Sequence, residues 1–248
     1  MAEFQTTLVD RREIAKGTMA FQFDTNGTRY EFKAGQHADF SFLHPHEGDE
    51  RDNSRTLSLA SSPGENGLIT VAMRMRDTGF KTALKRAPLG TMFKVSSPRG
   101  AFTLHKDITK PAVFLAGGIG ITPMRSILYW ATQQRLCHKL YLFYSNRQAE
   151  DVGFLEEFEV LAGKNPLFTF IPTITRTVSP AWRYEKGPID RSLLMQYLYT
   201  LGGAFYYVAG PSGMVAGMMA LLRNSGVSED DIRTEEFGDY KSDQPQKP

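Results

Sequence analysis

Through the first hundred residues, apolar and polar positions alternate in short runs of period two, the pattern of half-buried strands. Thr6–Val9, Met19–Phe23, Ala38–Phe42, Thr56–Leu59, Leu68–Met75 and Met92–Val95 are the candidates. Turn-forming clusters separate them: Thr25-Asn26-Gly27, Ser62-Pro63-Gly64 and Glu65-Asn66-Gly67. Strands at this spacing, with one short helix near Phe80–Arg86, predict a small antiparallel barrel. From Pro111 the pattern changes. Strand-like runs Val113–Leu115, Leu140–Tyr144, Leu167–Ile174 and Phe205–Val208 now alternate with runs of helical spacing. Met124, Ile127, Leu128 and Ala131 share one helical face, Phe154, Leu155, Phe158 and Leu161 a second, and Met214, Met218, Leu221 and Leu222 a third. Strand alternating with helix predicts a doubly wound parallel sheet. The expected class is thus β followed by α/β, with the boundary near His105–Lys110. The expected division is a barrel over residues 1–106, an α/β domain over 107–240, and a polar, disordered tail over 241–248. No internal repeat appears.

Composition narrows the chemistry. A chain of 248 residues has room for two cores, and a net charge of +2 implies no extended nucleic-acid or membrane electrostatics. The single cysteine, Cys137, excludes an internal disulfide, a four-cysteine iron–sulfur cluster and a cysteine-based zinc site. Charges in the first residues and the lack of any long apolar run predict a soluble, cytoplasmic protein without a transmembrane segment. His44-Pro45-His46 has no third ligand of suitable type nearby, so no metal site is expected. Cys137 and His138 are adjacent in a strand-like stretch and point to opposite faces, which argues against a nucleophile–base pair.

The most informative stretch is Ala116-Gly117-Gly118-Ile119-Gly120-Ile121-Thr122-Pro123, between a strand-like and a helix-like run. Strand, glycine turn and helix in that order make a phosphate cradle: glycines admit close approach of backbone N–H groups, and the helix N-terminus adds partial positive charge. Pro123 suits the first helical position. It also stands where the dinucleotide fingerprint G-x-G-x-x-G has its third glycine, which points to another class of nucleotide binder. In the barrel half, Arg55-Thr56-Leu57-Ser58 sits at a strand start, where an arginine fork suits a phosphate and a serine suits a flat acceptor. Gly79-Phe80-Lys81-Thr82 opens the short helix and is either an anion site or an ordinary helix start. Pro98-Arg99-Gly100-Ala101-Phe102 is equally readable as a tight turn.

Taken in order, Arg-x-x-Ser at 55–58, Gly-x-x-Thr at 79–82, Pro-x-Gly-x-Phe at 98–102, Gly-Gly-x-Gly-x-Thr-Pro at 117–123, Ala-Gly-Pro at 209–211 and Glu-Phe at 236–237 resemble the ferredoxin–NADP reductase superfamily, from about Phe4 to Tyr240. The resemblance implies a flavin-binding barrel, a nicotinamide-nucleotide-binding sheet domain and chemistry at their cleft. Arg55, within the Arg55-Thr56-Leu57-Ser58 strand, would contact the flavin phosphates, and Ser58 would lie near flavin N5. Gly79, Phe80, Lys81 and Thr82 would close over the pyrophosphate, implying FAD rather than FMN. Arg74 is a further phosphate candidate, with a solvated strand face as the alternative. Gly118, Ile119 and Gly120 would meet the nicotinamide nucleotide's pyrophosphate, with Thr122 near the flavin. Ala209, Gly210, Pro211 and Met214 would flank the nicotinamide. Phe237 would gate the flavin face, and Glu236 would serve a proton path. Ser145 and Arg147 follow the second parallel strand, where the adenosine ribose belongs. Arg147 suits the 2′-phosphate of NADPH; Asp151 suits the 2′-hydroxyl of NADH or is simply a helix N-cap. Two departures stand out: Leu57 replaces an aromatic that packs on the isoalloxazine, and Ala209 replaces a cysteine beside the nicotinamide.

The expected function is that of a stand-alone FAD-dependent oxidoreductase taking hydride from NADH or NADPH. Its electrons would pass to a separate acceptor: a ferredoxin, a flavodoxin, an oxygenase component, a quinone or a ferric chelate. A free-flavin or ferric reductase is one alternative, and a non-catalytic nucleotide-binding interaction module is another.

Overall fold

The computed structural model describes residues 3–44, 53–65, 67–176 and 180–238. Residues 45–52, with Pro45 and His46, and the tail 241–248 lie outside the described residues.

The first sheet has six antiparallel strands: β1 (Glu3–Ala15), β2 (Thr18–Asp24), β3 (His37–Phe42), β4 (Ser54–Ser58), β5 (Leu68–Arg74) and β6 (Met92–Ser96), in the order β4-β3-β6-β1-β2-β5. An antiparallel bridge between Leu59 and Val71 joins the end of β4 to β5 and closes the sheet on itself. The inward positions of these strands, among them Leu8, Phe21, Phe23, Phe40, Phe93 and Val95, are fully buried in one core. Helix α1 (Gly79–Arg86) adds Phe80 and Leu84 to that core, with Phe80 edge-on to Phe42. This is the expected barrel.

The second sheet is parallel and also six-stranded: β7 (Ala112–Gly117), β8 (Leu140–Asn146), β9 (Phe168–Ile174), β10 (Glu185–Lys186), β11 (Phe205–Gly210) and β12 (Ile232–Glu236), in the order β10-β9-β8-β7-β11-β12. Helices α2 (Ile121–Gln133) and α3 (Leu155–Lys164) bury Ile127, Leu128, Phe158 and Leu161 on one face. Helices α4 (Arg191–Tyr197) and α5 (Ser212–Asn224) bury Leu193, Leu194, Val215 and Leu222 on the other. The chain winds outward from β7 through β8 and β9, then returns to place β11 on the opposite side. The switch point lies between β7 and β11, and an open α/β sheet binds its ligands at the carboxyl ends of such strands.

Three elements depart from the periodicity reading. β1 runs six residues past Val9, because Asp10–Ala15 pair with Thr18–Gln22 in a hairpin whose second strand stays paired to β5 and whose turn docks on the second domain. Its backbone N–H at Lys16 donates to the carbonyl of Glu150. β12 has no apolar alternation and is held by parallel pairing to β11. Asp151 is not the N-cap of α3. A short 3-10 turn over Ala149–Asp151 intervenes and Phe154, at φ 59°, takes the cap position. Its buried ring lies 5.0 Å from the Arg125 guanidinium.

The two domains share apolar packing. Ala20, Ala34, Ala72 and Phe102 of the barrel half belong to the same buried cluster as Met124, Ile127 and Leu128 of α2.

Candidate functional site at the domain seam

At the switch point the turn after β7 presses against the turn after β11. A Cβ on Gly120 would stand 2.2 Å from the carbonyl oxygen of Ala209, and one on Gly117 would stand 2.2 Å from the Met214 sulfur. At Gly120 only glycine permits that approach, because the neighbour is backbone; at Gly117 the neighbour is the flexible Met214 side chain. Gly118 differs: it takes φ 52°, with open space where a Cβ would point. Gly118 and Ile119 are half-buried, and Gly120 is buried. Thr122 is fully buried and its hydroxyl donates to the carbonyl of Ile119 at 3.0 Å, so it braces the turn. Ala209 is fully buried, Pro211 is exposed and Met214 is half-buried against the sheet core. At the ends of β8 and β9, Ser145 is half-buried and Arg147 is exposed; the backbone N–H of Arg176, also exposed, donates to the Arg147 carbonyl.

On the barrel side, β4 divides its residues between two faces. Leu57 packs into the barrel core and is only 8% exposed, so little of it faces the cleft. Thr56 points outward, where its hydroxyl donates to Asp39 beside a two-pronged Asp39–Arg99 ion pair. That places Thr56 in a surface network. Arg55 is half-buried opposite Phe40. At α1, Gly79 is exposed, Phe80 is buried and Thr82 continues the helix from Thr78. Lys81 donates to the carbonyl of Arg74, whose side chain is exposed. Burial, then the charges of Arg76 and Arg55, push the Lys81 ammonium down to about 8. Cations gathered against one another at a helix N-terminus fit an anion such as a diphosphate.

The halves meet at Ser58. Its hydroxyl, almost wholly buried, donates to Glu235 Oε1 across the seam at 2.7 Å. Burial pushes the Glu235 carboxyl above its ordinary value, partly offset by that hydrogen bond. Next to it the backbone N–H of Phe237 donates to the Gly210 carbonyl at 2.9 Å, setting the half-buried ring beside the second turn. Glu236, the acid that the Glu-Phe pattern singles out, is exposed. The acid facing the cleft is Glu235, because side chains alternate along β12 and Glu235 shares a face with Phe237. Counting two residues back from Phe237 finds it.

The chain matches two family models, the oxidoreductase FAD-binding domain over residues 5–104 and the oxidoreductase NAD-binding domain over residues 114–219. It belongs to the ferredoxin–NADP reductase-like flavoproteins. It is 25% identical over 238 residues to the phenol hydroxylase P5 protein of Acinetobacter pittii (strain PHEA-2), covering 95% of this chain and 65% of that protein. It is also 25% identical over 209 residues to the reductase component of phenol 2-monooxygenase from Pseudomonas sp. (strain CF600), covering 83% and 58%. The chain thus spans little more than half to two-thirds of the length of these curated relatives. A crystal structure of a ferredoxin NADP+ reductase from Neisseria gonorrhoeae with bound FAD and NADP superposes with a TM-score of 0.80 at 18% identity, covering 95% of this chain and 99% of that one. In this flavoprotein the barrel is therefore the FAD-binding domain and the parallel sheet is the NAD-binding domain. No helix among the described residues is long and apolar enough to cross a membrane, and no group of three or more His, Cys, Asp or Glu among them is placed to hold a metal. His138 is buried with Nε2 on the His105 carbonyl while Cys137 is exposed; both lie in the loop before β8 and not in a strand.

Proposed function

We propose that this flavoprotein takes a hydride from NADPH and passes electrons, through FAD, to a separate acceptor such as an oxygenase component. The observation that carries the reading is the Ser58–Glu235 hydrogen bond, which sets the end of the FAD-domain strand β4 against the end of β12, beside the NAD-domain turn after β11. FAD supplies acceptance of the hydride and its release as electrons. The protein's own part is binding, orientation and proton control. Arg55, Arg76 and Lys81, with Arg74 at the rim, suit the FAD diphosphate by charge. Gly118, Ile119 and Gly120 offer backbone to the nucleotide pyrophosphate. Ser58 and Glu235 hold a proton at the seam, and Phe237 covers the place where a nicotinamide would stack.

Similarity to a reductase component of phenol 2-monooxygenase supports an oxygenase as the acceptor. For the nucleotide, Arg147 and Arg176 end adjacent strands, and among the described residues neither guanidinium faces a carboxylate. Two exposed cations there favour a 2′-phosphate, hence NADPH.

Anaerobic mixing with each nucleotide tests the proposal. NADPH is expected to bleach the flavin at lower concentration than NADH, by tenfold or more. Replacing Arg147 and Arg176 by alanine is expected to erase that preference and leave NADH reduction intact. A flavin that neither nucleotide bleaches overturns the proposal. Yellow colour lost on gel filtration favours a free-flavin reductase.

A further inference from the structure

Arg125 is a buried cation on the seam that the chemistry above leaves unused. Its side chain is 9% exposed, an uncommon state for a guanidinium. Nε and Nη2 lie 2.9 and 2.8 Å from Glu157 Oε2 on α3. Nη1 donates to the carbonyl of Ala60 at 2.7 Å and lies 3.8 Å from Glu65, both in the barrel half. The rings of Tyr129 and Phe154 stand 4.4 and 5.0 Å from its carbon. The next residue repeats the link, with Ser126 Oγ donating to the Ser61 carbonyl at 2.6 Å.

The position in the chain gives this clasp its meaning. Ala60 is two residues beyond Ser58, and Arg125 sits in the first turns of the helix that leaves the Gly118–Gly120 turn. One rigid, permanently charged fork therefore joins the strand that would carry the flavin edge to the helix that would carry the nicotinamide nucleotide. Hydride transfer depends steeply on donor–acceptor spacing, so a group that fixes the spacing of the two domains acts on the rate without touching either reactant.

We propose that Arg125 is the positioning residue for hydride transfer, holding the Ser58 strand and the glycine turn at a fixed distance. The inference rests on the hydride-transfer reading above. Removing the guanidinium by Arg125→Met is expected to lower the limiting rate of flavin bleaching by tenfold or more while the half-saturating NADPH concentration moves less than threefold. The long-wavelength absorbance of the flavin–nicotinamide complex is expected to weaken, and Arg125→Lys to recover part of the rate. A readout independent of turnover is the distance between spin labels at Leu89→Cys and Tyr199→Cys in a Cys137→Ser background. Those positions are exposed, one in each domain. The distribution is expected to be narrow with Arg125 present and broad with Arg125→Met. A limiting rate within twofold of the parent, or an unbroadened distribution, overturns the proposal even when the parent flavin bleaches normally. A parent flavin that neither nucleotide bleaches removes the function and this inference together. Should Arg125→Met yield no holoprotein, Glu157→Gln carries the same prediction at about threefold relative to Arg12→Gln, because Glu157 also pairs with Arg12 at 2.7 Å; a rate equal to that of Arg12→Gln overturns the proposal.

Discussion

The two phosphate cradles of this molecule are built on different physics. The barrel cradle gathers side-chain charge: Lys81, depressed first by its burial, also feels the charges of Arg76 and Arg55. The sheet cradle at Gly118–Gly120 has no cation in the turn and relies on backbone, made accessible by glycines pressed against Ala209 and Met214. Contacts in which both partners carry full charge add an attraction that a backbone N–H lacks, and suit a cofactor that stays through many turnovers. A backbone cradle binds more weakly and suits a cosubstrate that must leave each time. On the proposed assignment, the asymmetry of the cradles follows the asymmetry of residence time.

The largest effect that sharpens this contrast is on stability. Gly120→Ala would drive a Cβ into the Ala209 carbonyl, a backbone atom that cannot step aside. It is expected to cost about 3 kcal/mol and to lower Tm by roughly 10 °C in calorimetry. Gly118→Ala meets open space and pays only for its left-handed backbone, about 1 kcal/mol. Equal losses in the two variants would mean that the turns do not touch as described.

Next comes affinity. Arg55→Ala is expected to weaken FAD binding by about 30-fold in an equilibrium titration, the size of one lost charge-assisted contact. Parent FAD affinity is expected to fall with salt more steeply than NADH affinity, since NADH lacks the 2′-phosphate that Arg147 and Arg176 would meet. If the nucleotide is the more salt-sensitive ligand, the contrast between the cradles is reversed.

The smallest effect concerns Glu235. Burial raises its folded pKa, so the native state holds its proton more tightly than the unfolded chain does. That difference leaves stability untouched at low pH, lowers it as pH rises from the unfolded value through the raised folded one, and leaves the full penalty above both. Glu235→Gln keeps an acceptor for Ser58 and removes the charge. It is expected to raise Tm by about 2 °C at pH 8, with the difference vanishing below about pH 4. A gain that grows toward acid would contradict the assignment of the shift to burial.

Much of the architecture was legible because burial imposes a period. The inward residues of the barrel strands and the all-buried central strands β7 and β11 stand out as patterns of two or as apolar runs. The glycine turn was legible because its location after a strand and before a helix is local. The outer half of β1, the polar edge strand β12 and the cap at Phe154 were not, because partners remote in sequence hold each of them. The choice between Glu235 and Glu236 belongs with these. Two adjacent acids look alike until one knows that the segment is extended and which face turns inward. Thr56 fell the same way, its side chain drawn outward to Asp39 and Arg99.

What the chain alone determined, then, is the kind of each half and the order of its phosphate-binding motifs, since these depend on neighbours a few residues apart. What only the tertiary structure decided is how the halves meet: Ser58 on Glu235, Arg125 between Ala60 and Glu157, Gly120 beneath Ala209. Each of those contacts joins segments at least thirty residues apart, and no local preference specifies which of several suitable side chains will close such a distance.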